Sequence, residues 1–165
     1  MKRIYALTVI FILIPTAITA AAPGDTLWTR TYGGSDKDAA YSLQQTSDGG
    51  FVLAGFTKSY GLTDAQFFVI KTDALGDSLW TQTYGESNDD FASAIRQTND
   101  GGYIIVGTSK VSDSLSDDFY LVRTDSSGDT LWTRTFGGDD SEFGYSVEQT
   151  SDDGFILAGK TWSYG

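Results

Sequence analysis

From residue 24 onward, apolar-rich residues fall in short runs separated by turn signals, mostly Gly, Asp, Asn and Ser. The first full set of runs covers residues 41–46, 51–57, 67–72 and 79–84, and the second covers 92–98, 103–109, 119–124 and 131–136. Val, Ile, Thr, Phe and Tyr dominate them, a composition that suits a pleated, half-buried surface. No stretch after the first 22 residues carries a sustained apolar stripe of 3.6-residue period, so strands and no helices are expected there.

The connections alternate between tight and long. Asp48-Gly49 and Asp100-Gly101 separate the first strand from the second, and Asp-Gly favours a hairpin turn because the turn needs positive φ. The third set has Asp152-Asp153-Gly154, a costlier turn, since Asp visits that region less readily than Gly. Residues 73–77 and 125–129 make a second tight connection, with Gly76 and Gly128 at the left-handed position. Residues 58–66 and 110–118 are long, as are 33–40, 85–91 and 137–143. In a four-stranded antiparallel meander, such alternation puts the tight turns on one edge and the long loops on the other.

The pattern repeats every 52 residues without slippage. Gly24-Asp25-Thr26-Leu27-Trp28 returns as Gly76-Asp77-Ser78-Leu79-Trp80 and as Gly128-Asp129-Thr130-Leu131-Trp132. A fixed period of about 50 residues marks a repeat architecture. The units run 24–75, 76–127 and 128–165, the last incomplete, which makes about 2.7 units. Four strands per unit point to an all-β fold of β-propeller blades. Phe68 to Trp80, an apolar strand leading through Asp and Gly to Trp, resembles the tryptophan-docking segment of pyrroloquinoline-quinone-type blades, as does Tyr120 to Trp132. The whole unit resembles blades of large exported bacterial and archaeal repeat proteins, many with C-terminal sorting domains.

That resemblance implies a docking role for Trp28, Trp80, Trp132, Gly76 and Gly128. An indole wedged against the next blade contributes roughly 2–3 kcal/mol by area. Gly55, Gly107 and Gly159 sit inside second strands, where close backbone approach between blades is expected. Gly165 aligns with Gly61, in mid-loop, so the expectation is the opening of a larger ring. The alternative is an open array that completes itself by oligomerising.

Residues 1–22 differ in kind. Lys2 and Arg3 precede an apolar run to Ile18 and then Ala20, Ala21 and Ala22, the order of a secretory signal peptide. The run is shorter than the ~20 residues of a spanning helix. A secreted, cell-surface or periplasmic protein with no membrane span is therefore expected. The full chain has 11 basic and 22 acidic residues; losing Lys2 and Arg3 leaves 9 against 22, a net charge of −13. Such a charge opposes binding to a phosphate backbone, so no nucleic-acid partner is expected. Cys and His are absent, which removes disulfides and the usual ligands of zinc and haem.

The long loops are acidic. Asp36, Asp38, Asp89, Asp90, Asp139, Asp140 and Glu142 are the candidate ligands for calcium, the only cofactor in view. No run follows the spaced calcium-loop pattern that ends in a bidentate Glu. Tyr60, Leu62, Val111 and Leu115 mark a face for a protein or glycan partner, because divergent loops on a rigid scaffold commonly carry recognition. No catalytic residue stands out: the acids recur in every copy at turns, as scaffold does. The expectation is a non-catalytic exported module for binding or display. Its rival is part of a glycoside hydrolase or quinone-dependent dehydrogenase whose catalytic parts lie elsewhere.

Overall fold

The computed structural model describes residues 7–11, 26, 28–85, 88–110 and 116–163, and every regular element among them is a strand. β1 (Leu7–Phe11) pairs antiparallel with β2 (Trp28–Tyr32). A four-stranded antiparallel sheet follows in the order β3 (Asp38–Gln45), β4 (Phe51–Thr57), β5 (Gln66–Thr72) and β6 (Ser78–Tyr84). The same sequential order joins β7 (Asp90–Gln97), β8 (Tyr103–Lys110), β9 (Asp117–Thr124) and β10 (Thr130–Phe136). β11 (Glu142–Gln149) and β12 (Phe155–Thr161) form a final pair. No helix among the described residues is long and apolar enough to cross a membrane.

Of the leader at residues 1–22, residues 1–6 and 12–22 lie outside the described residues. Leu7–Phe11 holds β2 in a definite register, from Leu7 opposite Tyr32 to Phe11 opposite Trp28. This is the register in which β5 holds β6, from Phe67 opposite Tyr84 to Lys71 opposite Trp80.

The strand surfaces are not uniformly half-buried. β5 is buried at every position and β4 at all but Phe56, whereas β6 alternates along most of its length. The two middle strands are covered on both faces because the sheets stack. Val52, Ala54, Phe67 and Val69 of one sheet share a core with Ala92, Ile95, Tyr103, Ile105 and Val122 of the next. The opposite face of the second sheet, with Ile104, Val106 and Leu121, covers Val147 of β11. Polar side chains tie the same junctions: Gln97 N–H donates to Gln44 Oε1 at 2.7 Å, Ser47 N–H to Gln97 Oε1 at 2.8 Å, and Asn99 N–H to Gln149 Oε1 at 2.9 Å.

Trp80 meets the Tyr103 ring edge-on at 5.7 Å, with Trp28 on Phe51 and Trp132 on Phe155 in the same way at 6.1 Å. A Cβ built on Gly76 would lie 2.6 Å from Trp28, and one on Gly128 would lie 3.0 Å from Trp80. Trp28 and Trp80 therefore cross the glycine turn of the following unit. The Tyr84 hydroxyl fixes the same approach by donating to Gly128 O at 2.7 Å, as Tyr32 does to Gly76 O at 2.6 Å.

The mid-strand glycines have a cause other than contact between sheets alone. Each first strand carries a register shift, at Ala40/Ser42, Ala92/Ala94 and Gly144/Ser146. The bulge turns a backbone carbonyl of that strand onto the glycine beside it. A Cβ on Gly55, Gly107 or Gly159 would collide first with the carbonyl oxygen of Ala39, Phe91 or Phe143, within the same sheet. The preceding sheet comes second, through Phe67 for Gly107 and Phe119 for Gly159.

The hairpin turns bear out their chemistry. Gly49 and Gly101 have φ of +84° and +86°, and Asp153 takes the same place at +62°. A side chain in that region costs roughly 1–2 kcal/mol. Asp153→Gly should therefore raise stability by about 0.5–1 kcal/mol, less than the full strain because Asp153 Oδ1 accepts from Asn99 and Gln149. The midpoint of urea denaturation measures it.

Candidate functional site

The long connections gather around the first residue of each unit's first strand. Asp38, Asp90 and Glu142 open β3, β7 and β11, so each stands in a strand and not in the acidic loop where the apolar pattern alone would leave it. The polar side chain turns back to close the loop before it, and the ladder begins there. Asp38 accepts from Thr57 Oγ1, from Ser59 Oγ at 2.9 Å and from Gly34 N–H at 2.9 Å. Glu142 repeats the arrangement with Thr161 Oγ1 at 2.7 Å, Gly138 N–H at 2.9 Å and Ser163 N–H at 3.4 Å. Its hydrogen bonds from Ser163 and Thr161 hold its carboxyl down at about 2. Asp90 is buried beneath Gly85.

The other calcium candidates are local. Asp36 Oδ1 accepts from Lys37 N–H at 2.8 Å, and Asp140 Oδ1 from Ser141 N–H at 3.1 Å. Asp139 is exposed. Asp89 takes Lys58 Nζ at 2.8 Å and Ala65 N–H at 2.7 Å, and the Lys58 bond lowers its carboxyl below the ordinary carboxylate range. Among the described residues, no three acidic side chains come together as a metal site.

Of the recognition candidates, Tyr60 is 62% exposed and Leu62 half-buried. Val111 and Leu115 lie outside the described residues. Tyr60 has φ of +62° and is followed by Gly61 at +83°. Its ring tilts on Phe68 at 5.9 Å, and Leu62 N–H closes the turn on Ser59 O at 3.3 Å. A non-glycine residue held at positive φ stores about 1–3 kcal/mol, and such strain gathers at functional sites.

The structure adds aromatic side chains that the sequence pattern passes over. Tyr41 and Tyr145 are 60% and 57% exposed at the bulges of β3 and β11, one step outside the register that would have covered them. Tyr41 continues an aromatic row through Phe56 at 6.0 Å to Phe91 of the next sheet, a further 5.0 Å on. Trp162 is half exposed, with Lys160 Nζ over its ring at 4.0 Å and Phe143 at its edge. It stands outside the 52-residue spacing of the other three tryptophans, a signal already present in the sequence. Trp162 borders an open cleft of about 710 Å³ with Phe119, Phe136, Asp139 and Glu142. Beside it, burial and then the charge of Glu142 raise the Asp118 carboxyl, whose Oδ1 accepts no hydrogen bond among the described residues.

The tight-turn edge holds buried cations instead. Lys71 and Arg123 have side chains only 5% and 7% exposed, and they pair with Asp48 and Asp100 at 2.8 and 2.6 Å. A Cβ on Gly50 would lie 2.7 Å from Lys71 Nζ and collide with Thr72 O, and one on Gly102 would strike Thr124 O and the Arg123 guanidinium. Asp-Gly-Gly is thus a cation clamp as well as a turn. The first residue supplies the anion, the second the positive φ and the third the space. No protein-family model matches the chain, and no curated protein matches it in sequence.

Proposed function

We propose that the chain is an exported, non-catalytic β-propeller module that presents its long-loop edge to a protein or glycan partner, for binding or surface display. The observation that carries this is the Tyr60 loop. An exposed aromatic ring is held at positive φ on a loop whose base is tied down by the Asp38–Ser59 and Lys58–Asp89 bonds. Such a ring offers a wide amphipathic face at small entropic cost. The stacking of four-stranded sheets at a 52-residue repeat supports blades, and Lys2-Arg3 with the apolar run behind them supports export.

The enzyme alternative draws on Asp118 and Glu142, two carboxyls beside one cleft whose proton affinities are driven apart. Against it, the Glu142 position is filled by Asp38 in the first unit, where it performs the same loop closure with the equivalent Thr57 and Ser59. A group that closes the same loop in two repeats is poorly placed to serve as a unique catalyst.

A glycan array, together with affinity capture from a surface extract, tests the proposal. The ligand found should bind at least tenfold more weakly to Tyr60→Ala, with the melting temperature held or raised. Unchanged binding after exchange of residues 59–64 for a Gly-Ser loop would overturn the assignment. Amino-terminal sequencing of secreted protein tests the leader, which should be cleaved after Ala20 or Ala21.

A further inference from the structure

The junction of the first two sheets and the junction of β9 with β11 differ at one polar position. Gln66 opens β5, and Asp118 takes the same place in the repeat, near the start of β9. Each lies against the glycine that follows the last strand of its own sheet. A Cβ on Gly85 would strike Gln66 Oε1, and one on Gly137 would strike Asp118 Oδ1. An amide offers both a donor and an acceptor, and Gln66 Nε2 donates to Asn88 O at 3.3 Å. Asp140 holds the place of Asn88 in the second loop. An ionised carboxyl at the Gln66 place can only accept. Asp118 Oδ1 is closed off from solvent and takes no hydrogen bond among the described residues.

No ion pair reaches Asp118 among the described residues. Asp117 is its neighbour in β9, and the charge of Lys110, opposite Asp117 on β8, acts on Asp89. Asp139 and Asp140 are exposed on the loop after β10, and Glu142 opens β11. On β12, Lys160 holds its ammonium over the Trp162 ring. Glu142 keeps its own charge, because Oε1 accepts from Thr161 and Ser163 and Oε2 from Gly138. Of the two carboxyls, Asp118 is therefore the one that takes a proton, raised by burial and then by Glu142.

We propose that Asp118 is a proton-operated latch between β9 and the loop of residues 137–141. Neutral, it supplies the donor that Gln66 supplies at the first junction and holds the loop; ionised, it lets the loop go. The first junction does not respond in this way, since the Gln66 amide does not titrate. The sign is opposite to that of a depressed carboxyl. A carboxyl raised in the folded state gives stability that is fully present below its ordinary value of 3.8 and is lost as pH rises through the folded value. The latch involves none of the Tyr60 loop, so failure of either assignment leaves the other intact.

A carbon-13 NMR titration of the Asp118 carboxyl in the full-length protein is the test. Its midpoint should lie above the ordinary carboxylate range, and the amide signals of Gly137 to Ser141 should show a step at the same midpoint. Asp118→Asn makes the donor permanent and should remove that step. The variant should melt a few degrees above the parent protein at about pH 7, with the gain gone by about pH 3. The difference between the two proteins isolates the latch from other carboxyls that titrate in acid. A midpoint at or below the ordinary range, as a water or cation held on Oδ1 would give, overturns the proposal. Equal melting of the two proteins at about pH 7 does so as well.

Discussion

Gly107→Ala should cost at least about 3 kcal/mol. The added carbon would fall on the Phe91 carbonyl oxygen, fixed by the β7 bulge, with the Phe67 ring 2.7 Å away. Backbone on one side and a fully buried ring on the other leave nothing flexible to give way. Since domains of this size have only about 5–15 kcal/mol in hand, a large part of the stability goes with one substitution. Gly49→Ala is the control: it meets nothing within 4 Å and bears only the strain of φ at +84°, about 1–2 kcal/mol. Urea midpoints of the two variants, measured together, separate packing from backbone strain. Equal losses would show that the bulge relaxes.

Asp100→Ala should cost about 2–4 kcal/mol, the second largest effect, because it strands a buried guanidinium. Arg123 Nη2 reaches both Asp100 oxygens, at 2.7 and 2.6 Å, while its Nη1 is held by Tyr103 O and Thr124 O. The planar fork cannot swing to water. At Asp48→Ala the loss should be smaller, since a Lys71 ammonium on a flexible stem can reorient. Acid should do the same work without mutation. Asp48 is depressed from 3.8 to about 2, mainly by the Lys71 bond, and Asp100 is lowered mainly by Thr98. A carboxyl depressed in the folded state stabilises it above the ordinary value, and the contribution is lost as pH falls through the folded value. Stability should therefore be flat above pH 5 and decline from about pH 4 toward 2. The Asp48 side chain is 57% exposed, so screening by solvent limits its share to about 1 kcal/mol. Thermal melts across that range, with Asp100→Asn as a charge-only comparison, measure both effects.

The strands were legible because turn residues separate the apolar runs. The sheet order followed, since Asp48-Gly49 and residues 73–77 are too short for anything but hairpins. The starts of β3, β7 and β11 were not legible, because Asp38, Asp90 and Glu142 look like loop residues; for Asp38 and Glu142 it is the bonds to Thr57 and Ser59 and to Thr161 and Ser163 that draw them into the ladder. The bulges were hidden for a similar reason. A register shift leaves no compositional mark, so Tyr41 and Tyr145 read as ordinary strand residues. The cation clamp needed three separated positions at once, Asp48, Gly50 and Lys71, of which only the first two are neighbours in sequence. Of the site residues, Tyr60 was identifiable from loop divergence, whereas Trp162 required noticing a tryptophan off the repeat.

The Gln97 and Gln149 side chains join adjacent sheets, as do the cores that the sheets share. Unfolding is then a nearest-neighbour process, like the melting of a short one-dimensional lattice. The sheets of β3 to β6 and of β7 to β10 each have a partner on both faces and are the last to open. Amide protons of Val52 to Ala54 and of Ile104 to Val106 therefore exchange with solvent most slowly.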